Sequence, residues 1–268
     1  MSIKMLWLLI SINSVFTACY VPQSIAQAQP QNQVKTRFNS PTGFARHQPT
    51  TGWPEYLRSL PLKPEGSAVL LHDGRTKVNQ VHAAVVDLDV GTKNLQQCAD
   101  AVMRLRAEYL YEQKAYDQIH FNFTNGWTCA YTKWRAGYRV KIKGNSTWWE
   151  KSATPSTSYE SFRKYLNVVF MYAGTLSLSR ELRPVDLGEL QIGDVFIQGG
   201  SPGHAVIVVD VVFNINNGKK RFLLAQSYMP AQDIHILYDF ITKSPWFEVD
   251  DVIQTPEWTF YAKDLKRF

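Results

Sequence analysis

Cysteine is scarce in this chain, 3 residues in 268, which excludes the disulfide lattice that holds small exported domains together. Stability must come from an ordinary core, and 45% hydrophobic with 13% aromatic residues supply one. Beyond the N-terminal segment no apolar run is long enough to cross a bilayer. No internal repeat and no nucleic-acid-binding motif is present. The formal charge is +6, with lysine and arginine scattered. That pattern favours an anionic envelope polymer such as peptidoglycan, or a membrane surface, as partner over nucleic acid. His72, His82, Asp87 and Asp89 lack the spacing of a ligand set, so neither a metal nor another cofactor is predicted.

What is present begins with Lys4 and the apolar run Met5 to Ile10, resumed at Val15 and Phe16. This length suits a signal-peptide core and predicts export, with residues 1–28 as the signal and small residues at Ala26 and Ala28 as cleavage positions. Phe16-Thr17-Ala18-Cys19 resembles a bacterial lipobox, which would anchor the periplasmic or envelope protein through a lipid on Cys19. Residues 29–60 are rich in Gln, Asn, Pro and Thr and read as a flexible tether. Residues 61–268 then form a single domain.

Within that domain Val81 to Val90 reads as a strand. Leu95, Cys98, Ala99, Val102, Leu105, Tyr109 and Leu110 recur at helical spacing after an Asn94 cap, with Arg104, Arg106, Glu108 and Glu112 mostly outward. Gln118 to Phe123 and Tyr138 to Ile142 are strands. Ser158 caps a second helix that runs to Gly174. The run Gly193 to Val212, GDVFIQGGSPGHAVIVVDVV, is the most informative stretch. A short strand at Val195 to Ile197 and a turn at Gly199 to Gly203 lead into a β-branched strand whose mouth carries His204. Asn217-Gly218 then returns the chain as Arg221 to Gln226. The expected fold is α+β, a mostly antiparallel sheet with packed helices.

Gly-Asp before an apolar strand, then Gly-His opening a second one, resembles the NlpC-type and CHAP-type cysteine amidases over roughly Leu190 to Gln232. That resemblance implies a papain-like fold in the C-terminal part and cleavage of peptidoglycan peptides. It also implies a cysteine nucleophile at the start of an earlier helix, His204 as base, and a polar residue on the next strand that orients the imidazole. The interval between Cys98 and Gly193 is longer than those families usually have and requires an insertion. From about Leu60 to the C-terminus the chain also resembles a bacterial family of unknown function, which implies no chemistry.

Carried onto this sequence, the resemblance makes Cys98, His204 and Gln226 the catalytic candidates of a secreted cysteine amidase or peptidase. Cys98 lies near a helix start, where free amides and the macrodipole favour thiolate. It also lies on an apolar stripe, where cysteine is usually a small hydrophobe, and a bridge to Cys129 would silence it. His204 reads equally as a polar strand terminus. An Asn217-Gly218 hairpin puts Gln226 opposite residues nearer Val209 than His204, and Tyr228 closer, unless a bulge resets the register. Asp233 and His235 are more distant candidates. Trp127, Tyr131, Trp134, Tyr138, Trp148 and Trp149 suggest either a glycan-binding wall or ordinary core packing. The alternative to an enzyme is a non-enzymatic envelope protein that binds glycan or peptide on the same scaffold.

Overall fold

The computed structural model describes residues 32–48 and 50–268; the signal segment, its cleavage positions and Cys19 lie outside the described residues. In chain order the first elements are α1 (Val34–Arg37), β1 (Phe44–Ala45), α2 (Gly52–Arg58), β2 (His82–Val85) and α3 (Cys98–Glu112). The middle of the chain forms β3 (His120–Asn122), β4 (Thr128–Ala130), α4 (Tyr131–Arg135), β5 (Tyr138–Lys143), β6 (Ser146–Lys151), α5 (Tyr159–Tyr172) and α6 (Thr175–Glu181). Then come β7 (Arg183–Pro184), β8 (Val195–Gln198), β9 (His204–Asn214), β10 (Lys220–Gln226) and β11 (His235–Leu237). The C-terminal elements are β12 (Phe247–Glu248), β13 (Val252–Gln254), β14 (Thr259–Tyr261) and β15 (Leu265–Arg267).

A nine-stranded sheet runs β2-β11-β10-β9-β8-β15-β7, with β1 added to β9 and β12 to β10. Every pairing in it is antiparallel. The architecture is thus mixed, with helices packed on a mostly antiparallel sheet. β9 is the central strand because both its faces are covered, which is why its sequence is a continuous β-branched run rather than an alternation. Ala205, Ile207 and Val209 join Ala99, Val102 and Leu105 of α3 in one cluster. Val206 and Val208 face the other way, onto Phe196, Phe222, Leu224 and Phe260.

The register of β9 against β10 contains one irregularity. Leu223 lies opposite Asp210 and Leu224 opposite Val208, so Val209 has no partner. This is a β-bulge, and it moves every later residue of β10 by one position along β9.

Three expectations are corrected by the structure. The stretch expected as a tether to residue 60 is packed from Val34 onward: Val34 and Leu57 are fully buried and Leu60 nearly so. Its binding to the domain is partly ionic, since Asp210, wholly buried on β9, accepts from Arg58 Nε at 2.5 Å and Arg46 Nε at 2.7 Å. Composition misled because the apolar residues here are few and used singly. Second, α3 starts at Cys98, because Asn94 spends its side chain on the Ala231 N–H, 2.8 Å away, instead of capping a helix.

Third, Arg104 and Glu108 do not face outward. α2 and α5 cover that side of α3, and the pair is buried with Arg104 Nε 2.9 Å from Glu108 Oε1. Gln96 Oε1 accepts from Arg104 at 2.6 Å, and Tyr159 OH donates to Glu108 at 2.8 Å. These extra bonds offset the desolvation that a buried ion pair suffers. In the aromatic region Tyr131 and Trp134 are core residues, whereas Trp148 on β6 is exposed.

Removing Asp210 leaves Arg58, only 2% exposed, as an unpaired buried charge. The expected outcome for Asp210→Ala is a loss of roughly 3–5 kcal/mol in urea unfolding. An unchanged midpoint would show that the Asp210 ion pairs do not help to hold residues 34–60 on the domain.

Candidate functional site at the open end of strands nine and ten

The N-terminus of α3 is tied down by the segment that follows β10. The Ser227 hydroxyl lies 3.1 Å from the Gln96 carbonyl and 2.8 Å from that of Gln232, and Ser227 is fully buried. Gln97 is the N-cap, and its backbone N–H donates to Asp100 Oδ2 at 2.9 Å. Cys98 is therefore the first residue of α3, where backbone amides have no intrahelical acceptor.

The ladder between β9 and β10 ends at Ile207 opposite Ala225. Past that pair the Ala205 and Ala99 amides lie close enough to the Cys98 sulfur to favour its thiolate. The thiol thus reaches the backbone of the residue that follows His204. Burial nevertheless dominates and pushes the Cys98 thiol up to about 11, with the nearby Asp100 carboxyl adding to the rise and the amides opposing it.

His204 is 1% exposed. Its ring lies 4.9 Å from that of Tyr228, 5.4 Å from Trp258 and 5.8 Å from Phe260. Burial pushes the imidazole down to about 4, although the Gln226 hydrogen bond and the Glu257 charge act the other way. At neutral pH both groups are uncharged. His204 Nε2 lies 2.8 Å from Gln226 Oε1, so the amide oxygen accepts from Nε2–H and the lone pair stays on Nδ1.

Gln226 meets His204 through the bulge. With Ala225 opposite Ile207, Gln226 falls level with Val206, on the face that His204 shares. An unbulged hairpin would turn it to the helix side. Of the other sequence candidates, Tyr228 packs on the His204 ring. Its phenol is raised by burial, by Glu257 and by Cys98. Asp233 is engaged elsewhere, accepting from Lys63 Nζ at 2.8 Å and from the Leu70 N–H at 3.0 Å. His235 is buried behind Gln226. Cys98 and Cys129 are both free, so the competing bridge is not formed.

A cleft of about 520 Å³ opens over Cys98 and is walled by Asp100, Phe170, Thr175, Pro202, Gly203 and Met229. Gly203 is fixed by close approach: a Cβ there would lie 2.5 Å from Thr175 Oγ1 and 2.6 Å from the Gly200 carbonyl oxygen. Its neighbour His204 lies behind this wall.

Three further residues complete the site and were invisible in the sequence. Glu257 accepts from Gln226 Nε2 at 2.7 Å. Lys77 forms an ion pair with Glu257. Trp258 covers His204 and donates from Nε1 to Gln198 Oε1 at 3.0 Å. All three sit in short connections far from His204 along the chain, and only the neighbouring Pro256 marks a turn there.

A family profile described as Domain of unknown function (4846) matches residues 34–267, nearly the whole described chain. The chain belongs to that family. No curated protein and no solved structure matches it. The match begins at Val34, the first fully buried residue of α1, so the family unit includes the segment that composition assigns to a tether.

Two free thiols in different settings give a direct test of this geometry. Cys98 lines the cleft, whereas Cys129 is wholly buried with its thiol pushed up further by desolvation alone. A small alkylating reagent should modify Cys98 first in the native protein, read by peptide mass spectrometry. Because the Cys98 thiol is raised to about 11, its rate should climb about tenfold per pH unit between neutral and pH 9. A rate already at plateau near neutral pH would mean a preformed thiolate and imidazolium instead.

Proposed function

We propose that the protein is an exported cysteine amidase or peptidase that cleaves amide bonds of cell-wall peptide. The observation that carries the reading is the meeting of three chain segments at one place. Cys98 begins α3 near the Ala205 amide, and the preceding residue on β9, His204, is hydrogen-bonded to Gln226 through Nε2 on the face that Val206 shares, so that proton exchange with the thiol requires the imidazole to reach round the open end of the strand. The C-terminal part resembles the NlpC-type and CHAP-type amidases, whose papain-like fold uses a helix-start cysteine, a strand-start histidine and a polar third residue in this order. The signal-like N-terminus and the +6 charge suit an anionic wall polymer outside the cytoplasm.

In the proposed reaction Cys98 Sγ attacks the amide carbonyl carbon while His204 Nδ1 takes the thiol proton. The carbonyl oxygen becomes an oxyanion, held by the free N–H groups at the start of α3. Collapse of this intermediate breaks the C–N bond, and the imidazolium returns its proton to the leaving amine. Water, deprotonated by His204, then hydrolyses the thioester and regenerates the thiol. Since Cys98 and His204 are both neutral at rest, proton transfer accompanies attack rather than preceding it. Burial of both groups makes the charges that then develop interact strongly. No cofactor enters this scheme.

Purified mature protein should release new amino groups from peptidoglycan. Cys98→Ala and His204→Ala should abolish release while leaving binding intact; Cys98→Ala should keep the unfolding midpoint near wild type, whereas His204→Ala, which empties a buried ring site, should lower it. If the wild type binds wall material but frees no amine from a broad panel of wall peptides, the protein is the non-enzymatic envelope binder instead. Full cleavage by both variants would move the chemistry elsewhere in the molecule.

A further inference from the structure

Which nitrogen of His204 carries its proton is decided by groups that never touch the cleft. A glutamine amide can be turned over without change of shape, and doing so exchanges an acceptor for two donors. With Oε1 toward His204, the imidazole donates from Nε2 and keeps the Nδ1 lone pair. With the amide reversed, Gln226 would donate to Nε2, the His204 proton would sit on Nδ1, and that nitrogen could accept nothing from a thiol.

Two neighbours oppose the reversal. Glu257 Oε2 lies 2.7 Å from Gln226 Nε2, and a carboxylate only accepts. His235 Nε2 lies 3.3 Å from the same amide nitrogen. The other ring nitrogen of His235, Nδ1, is 2.9 Å from the Asp233 carbonyl oxygen, which also only accepts. Nδ1 of His235 must therefore hold the proton, and its Nε2 faces Gln226 as an acceptor. The two N–H bonds of the amide thus meet two acceptors, and its oxygen is left for His204. Complete burial pushes His235 down to about 3, so it stays neutral and keeps that lone pair. Lys77, itself buried, holds Glu257 in place as an ion pair.

We propose that Glu257 and His235 are positioning residues that set the tautomer of His204 through Gln226. Its consequence for catalysis rests on the amidase reading, but the tautomer does not. Neither group touches the reacting atoms. Their effect passes through one amide whose orientation has two states, each demanding a different proton position on His204.

The test is nitrogen-15 NMR of the imidazoles in the full-length protein near neutral pH, where two-bond proton–nitrogen couplings distinguish the tautomers. Wild type should show His204 protonated at Nε2. Glu257→Ala should shift part or all of the population to Nδ1–H. Should that variant fail to fold because Lys77 is left unpaired, the double variant Lys77→Met, Glu257→Met removes both charges and should give the same shift. Glu257→Gln, whose amide oxygen can still accept from Gln226 Nε2, should retain Nε2–H. A merely structural need for the Glu257 charge would not be met by this substitution.

On the activity side, Glu257→Ala should lower kcat roughly 10²- to 10⁴-fold with KM little changed, the upper end corresponding to a wholly wrong tautomer. Wild-type His204 found as Nδ1–H, or Nε2–H retained without Glu257, would overturn the proposal. A tautomer shift in the variants of a protein that cleaves nothing would instead refute the amidase reading and leave the positioning role standing.

Discussion

One unpaired residue in β9, Val209, sets the arrangement on which the candidate site depends. Side chains alternate between faces along a strand, so a single extra residue reverses the facing of everything beyond it relative to the partner strand. Before the bulge Asp210 lies opposite Leu223; after it Val208 lies opposite Leu224, and Gln226 is delivered to the face of Val206 and His204. Without the bulge Gln226 would point toward α3 and leave a buried histidine with no acceptor. The same irregularity puts Asp210 on the helix side, where Arg46 and Arg58 meet it. One register shift therefore serves both the site and the attachment of residues 34–60.

Ion pairs recur where segments distant in sequence must be held in register. Arg104 with Glu108 joins α3 to the Asp89 carbonyl, to Gln96 and, through Tyr159, to α5. Lys77 with Glu257 fastens the turn after β13 beside Gln226. Such pairs contribute little net stability, since desolvation cancels much of their attraction, but a lost partner is costly. Their effect is to penalise alternative packings. The residues they fix are Gln96, just before α3 and Cys98, and Glu257, behind the Gln226 that bonds His204.

The Cys98 thiol and the His204 imidazole are both buried and uncharged at rest. Burial moves the thiol up and the imidazole down, and neither the helix-start amides nor the Gln226 bond reverses the direction. A thiol and an imidazole separated so widely in proton affinity do not exchange a proton spontaneously. A substrate in the cleft that stabilises developing charge would supply the missing driving force. The cleft wall formed by Gly203 and Thr175 leaves no room for a side chain at the position just before His204.

The sequence by itself determined the elements with strong periodicity. The β-branched run of β9, the Gly-rich turn before it, the Asn217-Gly218 return and the Ser158 cap of α5 are local signals, and each requires only its neighbours. It also singled out Cys98, His204 and Gln226, though it left Gln226 competing with Tyr228. Only tertiary structure set which of the two hydrogen-bonds to His204 and which packs on its ring, because a bulge is a property of two strands and leaves no mark in either alone. It decided as well that Arg104 and Glu108 are inside, since a charged helix face is outward until another helix covers it. Lys77, Glu257 and Trp258 carried no signal, as each is an ordinary residue in a short connection until folding sets it beside His204. The tether expectation failed for a related reason: composition averages over a segment, whereas Val34, Leu57 and Arg58 bind the domain one side chain at a time.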